Sequence, residues 1–413
     1  MTPTLWDVVV IGGGAAGIAV AASILKRKPH LSVAIVEPSD RHFYQPAWTL
    51  VGGGCFNPAN TCKATGKLIP NGAKWLRSRV TEMEPTHNRV TLEDGQLLNY
   101  QFLVVAPGLE LNLGAIEGLE SSLGKHGVTS NYLFELASYT WECVRNLQRG
   151  RALFTQPPMP IKCAGAPQKA MYLSCDIWRD SGVLPAIDVE FHNAGAALFG
   201  VPTYVPALME YVEKYGIDLR LESNLVAVDA DRRVATFERK QDGVSERIER
   251  EFDMLHVVPP QVSHAVVANS PLAAASGFVE VDETTLRHKR FENIFGLGDA
   301  AGTSNAKTAA AARVQAPVVA VNALAALDGR PPVADYNGYG SCPLTVERGK
   351  IVLAEFGYGG KLLPSFPSWL LDGTRPTRTA WFLKERMLPP IYWQGMLKGR
   401  EWMAAPHEIG KAA

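Results

Sequence analysis

The stretch DVVVIGGGAAGIAVAASIL, residues 7–25, decides the fold of the amino-terminal part of the chain. A β-branched run leads into a turn with Gly12, Gly14 and Gly17 at GxGxxG spacing, and an alanine-rich helical pattern follows. Such a turn lets the pyrophosphate of a dinucleotide approach backbone N–H groups at a helix N-terminus. Glu37 ends the next strand-like run, where an acidic side chain accepts hydrogen bonds from the adenosine ribose. The sequence therefore predicts a dinucleotide-binding, Rossmann-like unit.

Two later stretches indicate that the dinucleotide is FAD. FLVVAPG, residues 102–108, resembles the shorter fingerprint at which two-dinucleotide flavoproteins cross between domains. NIFGLGDAAG, residues 293–302, resembles the signature whose aspartate, here Asp299, hydrogen-bonds the ribityl chain of FAD. The helical run that begins near Lys307 would point its N-terminal dipole at the pyrimidine edge of the flavin. That dipole would stabilise the negative charge of the reduced flavin.

The alternation of β-branched and alanine-rich runs is typical of an α/β protein with mostly parallel sheets. We expect two Rossmann-like domains: an FAD domain from residues 1–112 and 285–330, and a second domain from residues 113–284. Residues 331–413 form a separate C-terminal element. A charged hairpin turns at Asp242-Gly243. The candidate strands are Asp7–Ile11, Ser32–Val36, Phe102–Ala106, Ala152–Thr155, Asp188–His192, Met254–Val258 and Ile294–Leu297.

The second Rossmann-like domain lacks a phosphate-binding turn. After the strand-like run ALFTQPP, the chain reads MPIKCAGAPQKAMYL, where prolines remove backbone donors and only Gly165 allows close approach. Nicotinamide dinucleotides are therefore disfavoured. Cys163 occupies this turn, at a helix start and one residue after Lys162, and both features lower a thiol pKa. We predict that Cys163 is reactive.

A second cysteine, Cys342, precedes a proline in a Gly/Tyr-rich loop that could cover the flavin. Sequence distance alone cannot show that it meets Cys163. The remaining cysteines are interpreted as structural, since a single cysteine is usually a small buried hydrophobe. They are Cys55, Cys62, Cys143 and Cys175.

Composition excludes several classes of protein. The 413 residues carry 41 Lys plus Arg and 41 Asp plus Glu, so no overall charge attracts nucleic acid. The cysteines form no CxxC pairs, so no zinc site is expected. The apolar run TAAAARVQAPVVAVNALAAL is interrupted by Arg313, Gln315 and Asn322 and is interpreted as a buried helix. The first residues enter a strand almost at once, so we expect no export signal.

Five stretches together resemble the sulfide:quinone oxidoreductases, specifically the mitochondrial-type branch and its bacterial relatives. They follow the family order and span nearly the whole chain. They are EPSDRHFYQPAWTLVGGG (37–54), PIKCAGAPQKAMYL (160–173), MLHVVPP (254–260), FGLGDAAGTSNAKTAAA (295–311) and GSCPLTVERGKIVLAEFGY (340–358).

The resemblance implies a catalytic pair, Cys163 and Cys342, bridged directly or through extra sulfur when oxidised. Sulfide attacks the bridge and leaves a persulfide on Cys342, while Cys163 passes two electrons to FAD. Sulfur leaves to a small acceptor or as polysulfide, and the reduced flavin passes its electrons to a quinone. Cys143 matches no family motif, so FAD is expected to be non-covalent. The residues implied to contact FAD are Gly12, Gly14, Ala15, Ala16, Gly17, Glu37, Gln45, Val80, Ala106, Gly298, Asp299, Lys307 and Thr308.

Residues 378–403 are predicted to attach the protein to a membrane surface. Their aromatic, apolar and cationic residues fit two short amphipathic helices broken at Pro389-Pro390, with rings at headgroup level and Lys384 among the cations beside phosphates. The segment is too short and charged to span. We expect peripheral, monotopic attachment to a bacterial inner membrane or an equivalent one. The sequence does not decide which face of the membrane is used. It also leaves the oligomeric state open, and a homo-oligomer is possible.

Two alternatives stay open at this point. An NADH:quinone oxidoreductase of the same fold is opposed by the missing phosphate turn. A flavin-bearing redox sensor that does not turn over would show slow, quinone-insensitive reoxidation. The sequence does not identify the sulfur acceptor or the quinone.

Overall fold

The glycine turn at residues 12–14 joins the first strand to the first long helix, as the sequence predicts. The computed structural model of the protein describes residues 4–241 and 244–410. The strands are β1 Thr4–Ile11, β2 Val33–Val36, β3 Arg41–Phe43, β4 Cys62–Ala64, β5 Ala73–Leu76, β6 Val80–Glu84, β7 Arg89–Leu92, β8 Leu97–Val105, β9 Leu109–Leu111, β10 Val128–Thr129, β11 Gly150–Gln156, β12 Ile187–Asn193, β13 Asp218–Arg220, β14 Ser223–Asp229, β15 Val234–Gln241, β16 Val244–Glu251, β17 Met254–His256, β18 Gln261–Ser263, β19 Ile294–Gly296, β20 Ala334–Asp335, β21 Gly340–Glu347, β22 Lys350–Phe356 and β23 His407–Glu408.

The α-helices alternate with these strands in the pattern expected for an α/β protein. They are α1 Ala15–Arg27, α2 Trp48–Gly52, α3 Leu119–Ser122, α4 Phe134–Asn146, α5 Ala166–Asp180, α6 Val205–Tyr215, α7 Ala265–Ala268, α8 Ala309–Leu327, α9 Arg378–Phe382 and α10 Leu388–Pro390. Each predicted strand lies within two residues of an observed one at one end or both, and the α/β prediction is confirmed.

Two main sheets organise the molecule. The first has the order β5-β2-β1-β8-β7-β6, with β19 also paired to β8, and β1, β2, β5, β8 and β19 run parallel. The second, β10-β17-β11-β12-β13, is parallel throughout. The first sheet uses residues before 106 and 294–296, and the second uses residues 128–256. We propose the domain limits given above on this distribution.

The charged hairpin lies beside the second sheet. Strands β15 and β16 pair antiparallel, and β14 pairs with β15. Its predicted turn, Asp242-Gly243, lies outside the described residues.

Helix α8 is a core helix. By length and composition it could cross a membrane, but 67% of its apolar window is buried inside the molecule. Its residues share one hydrophobic core with α1 and with β1 and β2. The prediction of a buried helix is confirmed.

The C-terminal segment differs from the prediction in two ways. Its backbone stays helical through Pro389-Pro390, which lie in the short helix α10, and π-helical turns flank this helix at Leu383–Met387 and Ile391–Gly395. Its second half faces inward. Tyr392, Trp393, Met396 and Leu397 are buried in the core that contains α1. Only part of the predicted membrane surface is therefore exposed.

Candidate active site

Cys163 lies in a tight turn between β11 and α5. Its φ of 50° is in the left-handed region, which costs a side-chain-bearing residue about 1 kcal/mol. The surroundings hold it there: its N–H donates to the Lys307 carbonyl at 2.8 Å, and its carbonyl accepts from the Ala166 N–H at 2.7 Å. The Tyr132 hydroxyl donates to the Lys162 carbonyl at 2.8 Å. The thiol is thus fixed by contacts to both main parts of the molecule.

The hairpin of β21 and β22 carries the second cysteine. Opposed residues of an antiparallel pair share a face, and Cys342 pairs with Ala354. This face, with Leu344 and Val352, packs into the core of the second sheet against α5. The packing brings Sγ of Cys342 to 3.8 Å from Sγ of Cys163, 179 residues away along the chain. All six cysteines are free thiols.

Two buried lysines stand beside the thiols. Lys169 Nζ donates to Cys163 Sγ at 3.2 Å from the first turn of α5. Lys384 is 4% exposed, donates to the Pro343 carbonyl at 3.4 Å, and interacts electrostatically with both cysteines. Burial, and then the neighbouring Lys169 ammonium, hold the pKa of Lys384 well below its usual value.

These contacts make the two thiols unequal in acidity. The hydrogen bond from Cys342, then the Lys169 and Lys384 charges, hold the pKa of Cys163 well below its usual value against the opposing effect of burial. The same hydrogen bond and burial hold the pKa of Cys342 well above its usual value. These contacts therefore favour ionisation of Cys163 over ionisation of Cys342.

The sequence did not single out these lysines as part of the site. Lys162, the predicted neighbour of the thiol, instead approaches Gln45 Oε1 at 3.4 Å. Lys384, predicted beside lipid phosphates, is buried at the thiols. A signal for Lys169 was available, because a side chain in the first turn of a helix points back toward the preceding turn. Lys384 is far away in sequence and carried none.

The glycine turn between β1 and α1 fits a pyrophosphate. A Cβ at Gly12, whose φ is 97°, would lie 2.4 Å from the Ala106 carbonyl oxygen, and one at Gly17 would lie 1.8 Å from the Gly12 oxygen. These glycines close the strand against the helix. A Cβ at Gly14 would meet nothing within 4 Å, so open space lies beside the helix start, where Ala15 and Ala16 begin α1.

Charged and polar groups expected at FAD lie along the same edge. Glu37 Oε2 accepts from the Gly13 N–H at 2.8 Å, which places the carboxylate at the turn. Asp299 lies in a turn after β19, and burial raises its pKa while Lys162 and Lys307 oppose that rise. Lys307 is buried and donates to the Ala301 carbonyl at 2.8 Å, and Thr308 caps α8 by accepting from the Ala311 N–H.

The remaining predicted contacts lie around this edge. Val80 begins β6, Ala106 donates its N–H to the Ile11 carbonyl, and the Gly298 N–H donates to Gln315 on α8 at 2.7 Å. Thr303 Oγ1 is buried and has no hydrogen-bond partner among the described residues. The site therefore fits FAD. It offers a glycine turn for the pyrophosphate, the Glu37 carboxylate at the expected ribose end, and the unpaired Thr303 hydroxyl near the start of α8.

No phosphate is accommodated at the second turn. Gly165, its one glycine, faces the C-terminal hairpin: a Cβ there would lie 2.2 Å from Leu344 Cδ2 and 3.7 Å from Cys342 Cβ. The small residue makes room for the hairpin that carries Cys342. The hairpin thus fills the space that a nucleotide phosphate would need.

Burial disfavours the thiolate at three of the other cysteines. Cys175 is fully buried, and burial raises the pKa of Cys143 to about 11 and that of Cys55 above its usual value. Cys62 is half-buried at the start of β4.

Comparisons with known proteins identify relatives of this chain. A family model described as pyridine nucleotide-disulphide oxidoreductase matches residues 6–144. The mitochondrial sulfide:quinone oxidoreductase of Dictyostelium discoideum is 41% identical over 396 residues, covering 95% of this chain and 86% of the relative. The protein of the same name from Mus musculus is 38% identical over 394 residues, covering 95% and 87%.

A solved structure shares the fold. The sulfide:quinone oxidoreductase of the hyperthermophilic bacterium Aquifex aeolicus superposes with a TM-score of 0.78 at 19% identity, covering 95% of this chain and 92% of that one. That likeness concerns the fold alone, whereas the two curated relatives match in sequence over almost the full length. On those identities, the chain belongs to the sulfide:quinone oxidoreductase family.

Proposed function

We propose that this protein oxidises sulfide at Cys163 and Cys342 and passes two electrons through FAD to a membrane quinone. The observation that carries the proposal is the 3.8 Å approach of the two Sγ atoms, with Lys169 Nζ 3.2 Å from Cys163. When bound, FAD supplies a two-electron acceptor for the thiol pair and a donor for quinone.

The unequal thiols set the direction of sulfide attack. In the oxidised pair, a thiol of lower pKa is the better leaving group, so hydrosulfide attacks Sγ of Cys342 and displaces Cys163 as thiolate. One S–S bond breaks, one forms, and Cys342 carries the persulfide. Lys169 stabilises the displaced thiolate by a charge-assisted hydrogen bond.

The cycle closes when sulfur leaves. A nucleophilic acceptor takes the outer sulfur and releases Cys342 as a thiolate. Re-forming the bond between the two cysteines then removes two electrons, the number that FAD accepts and quinone consumes. Lys384 stands close enough to both cysteines to balance the second negative charge.

Membrane attachment is proposed for the exposed part of the C-terminal element. Trp369 is 84% exposed, and Leu370, Phe382, Met387, Trp402 and Met403 are also exposed. Arg378, Arg386, Lys398 and Arg400 are exposed beside them. Apolar groups with flanking cations suit the headgroup region of a bilayer, where a quinone would be reached. Attachment at a bacterial inner membrane or an equivalent one remains our proposal, as does the use of a small sulfur acceptor.

The proposal is tested by following flavin absorbance in anaerobic solution. Excess sulfide, which also serves as the nucleophile that takes the outer sulfur, should bleach the flavin, and a soluble quinone analogue should restore its absorbance. Cys163→Ser and Cys342→Ser should each slow the bleaching severely, while Cys62→Ser, a half-buried control, should not. Bleaching at the normal rate in both active-site variants, or faster bleaching by NADH than by sulfide, would contradict the proposal.

A further inference from the structure

A second buried polar cluster lies on the C-terminal hairpin and has no part in the sulfur chemistry. Glu355, on β22, is 5% exposed. Its Oε1 accepts from the Tyr339 hydroxyl at 2.6 Å and from the Ser365 hydroxyl at 2.5 Å, and its Oε2 accepts from the Ser365 N–H at 3.0 Å. It forms no ion pair with any residue in 4–241 or 244–410. A carboxyl group surrounded by hydroxyls is suited to exchanging a proton.

The hairpin separates this cluster from the thiols. Glu355 pairs with Ser341, whereas Cys342 pairs with Ala354, so Glu355 and Cys342 belong to opposite faces of the two-stranded sheet. The face of Cys342 packs on the second sheet. The other face, with Ile351 and Leu353, packs on the C-terminal segment around Leu371 and Ala380.

The cluster also lies beside the start of α8. Tyr339 is adjacent to Gly340, where a Cβ would lie 3.3 Å from Ala306 Cβ and 3.6 Å from Thr308 Oγ1. Arg313, in the second turn of α8, interacts electrostatically with Tyr339 and Glu355. This is the helix end at which we place the pyrimidine edge of the flavin.

Exposed apolar residues are linked to the cluster through Arg313 and Ser365. The Arg313 guanidinium donates to the carbonyls of Trp402 and Met403, whose side chains are exposed. Ser365 begins the short stretch that leads to Trp369 and Leu370, also exposed. We infer that an apolar ring system would approach the Tyr339 hydroxyl from the side of these exposed residues.

We propose that Tyr339 and Glu355 supply a proton to the quinone during its reduction; this inference rests on the proposed function. Quinone needs two electrons and two protons to become quinol. Bound FAD would supply both electrons and one proton. For the other proton, the Tyr339 O–H bond breaks as one quinol O–H bond forms, and a proton from solvent, passed through Ser365 and Glu355, restores the Tyr339 hydroxyl.

The experiment separates the two half-reactions in Glu355→Gln and Tyr339→Phe. Bleaching by sulfide should keep the wild-type rate, because the thiols lie on the other hairpin face. Reoxidation of the flavin by a soluble quinone analogue should slow about ten-fold or more, and its rate should no longer depend on pH. The ionisable groups that face Glu355 are Tyr339, Tyr204 and Arg313. The control is Glu347→Gln, a buried carboxylate on the same hairpin paired with Lys214 and Lys350, and both its half-reactions should match wild type.

Binding supplies a readout independent of turnover. Tryptophan fluorescence of the FAD-free protein, titrated with the quinone analogue, should give equal affinities for wild type and Glu355→Gln, because the carboxyl group donates a proton and does not hold the ring. Weaker binding with an unchanged pH profile would overturn the inference. If Glu355→Gln does not fold, Tyr339→Phe and Ser365→Ala carry the same expectation.

Failure of this inference can be told from failure of the proposed function. Wild-type protein whose flavin is not bleached by sulfide contradicts the proposed function, whatever Glu355 does. Wild-type protein that completes both half-reactions, with variants reoxidised at the same rate and with the same pH profile, contradicts the proton supply alone. Equal slowing of both half-reactions in the variants also contradicts it, since that would indicate a structural role.

Discussion

Lys169 Nζ lies 3.2 Å from Sγ of Cys163, one turn of helix beyond the turn that holds the thiol. The lysine is 3% exposed, so solvent screens this charge little. A hydrogen bond to a charged group contributes about 1.5–3 kcal/mol. The contact therefore favours ionisation of Cys163 over ionisation of Cys342.

Replacing Lys169 should make Cys163 less acidic. In Lys169→Met, we expect the pKa of Cys163 to rise, because the charge and the hydrogen bond that favour its thiolate are lost. The pH dependence of alkylation of the reduced protein by iodoacetamide measures this change. Lys162→Met is the matched control, because Lys162 approaches Gln45 and not the thiol. An equal rise in both variants would show that the effect is not specific to the Lys169 contact.

The glycine turn offers a test of FAD binding that separates folding from affinity. Gly14→Ala adds a methyl group into open space, so the FAD-free protein should unfold at the same temperature as wild type. Its affinity for FAD should fall about ten-fold or more, because the methyl group blocks the pyrophosphate. Gly12→Ala should destabilise the protein itself, because its φ is 97° and the new Cβ meets the Ala106 carbonyl. Thermal unfolding with and without FAD measures both. Normal FAD affinity in Gly14→Ala would contradict the proposed location.

How much of this was predictable depends on the range over which each residue acts. The turn at Gly12, the strands and the helix after Lys307 follow from local patterns, and the structure contains them. Lys384 approaches the thiols, and Tyr132 the Cys163 carbonyl, only through the tertiary packing of distant segments, and no local pattern records that packing. The sequence also did not predict that Tyr392 and Trp393 face the core. An amphipathic helix with aromatic residues has the same sequence pattern whether its apolar face packs on a core or on a membrane.

His42 should make stability sensitive to acid. Its Nδ1 faces the Gly13 carbonyl at 3.1 Å, which can only accept, so Nδ1 carries the proton and Nε2 accepts from the Tyr392 hydroxyl at 2.6 Å. Burial lowers the pKa of His42 from 6.5 to about 4. The unfolded chain therefore binds the proton more readily, and acid favours unfolding.

We expect this stabilisation to be complete above about pH 6.5 and to be lost as the pH falls toward about 4, amounting to roughly 3 kcal/mol. Urea unfolding of wild type and His42→Gln across that range measures it, since glutamine keeps a donor and an acceptor but does not titrate. The variant should lose less stability on acidification. Parallel curves would show that His42 does not contribute.

Trp369 should contribute to vesicle binding more than other exposed apolar residues do. Trp369→Ser removes an 84% exposed ring from the proposed membrane surface. Inserting such a side chain into a bilayer contributes about 1.5–3 kcal/mol to the binding free energy. Binding to anionic phospholipid vesicles should therefore weaken about ten-fold. Leu5→Ser is the control, because Leu5 is 60% exposed on β1 of the first sheet. Flotation assays compare them. Equal loss in both, or none in Trp369→Ser, would contradict the assigned surface.

Gly165 links the missing nucleotide turn to the meeting of the cysteines. Gly165→Ala should push Leu344, and with it the strand of Cys342, away from Cys163, because the added methyl group would lie 2.2 Å from Leu344 Cδ2. We expect slower bleaching by sulfide with FAD still bound. Leu344→Ala in the same chain removes the clash, so the double variant should bleach faster than Gly165→Ala, although the lost leucine costs about 2–5 kcal/mol of stability. Gly165 could be needed to make room for Leu344 or to let a phosphate approach. Only in the first case should Leu344→Ala restore the rate of bleaching in Gly165→Ala, so this rescue distinguishes the two roles.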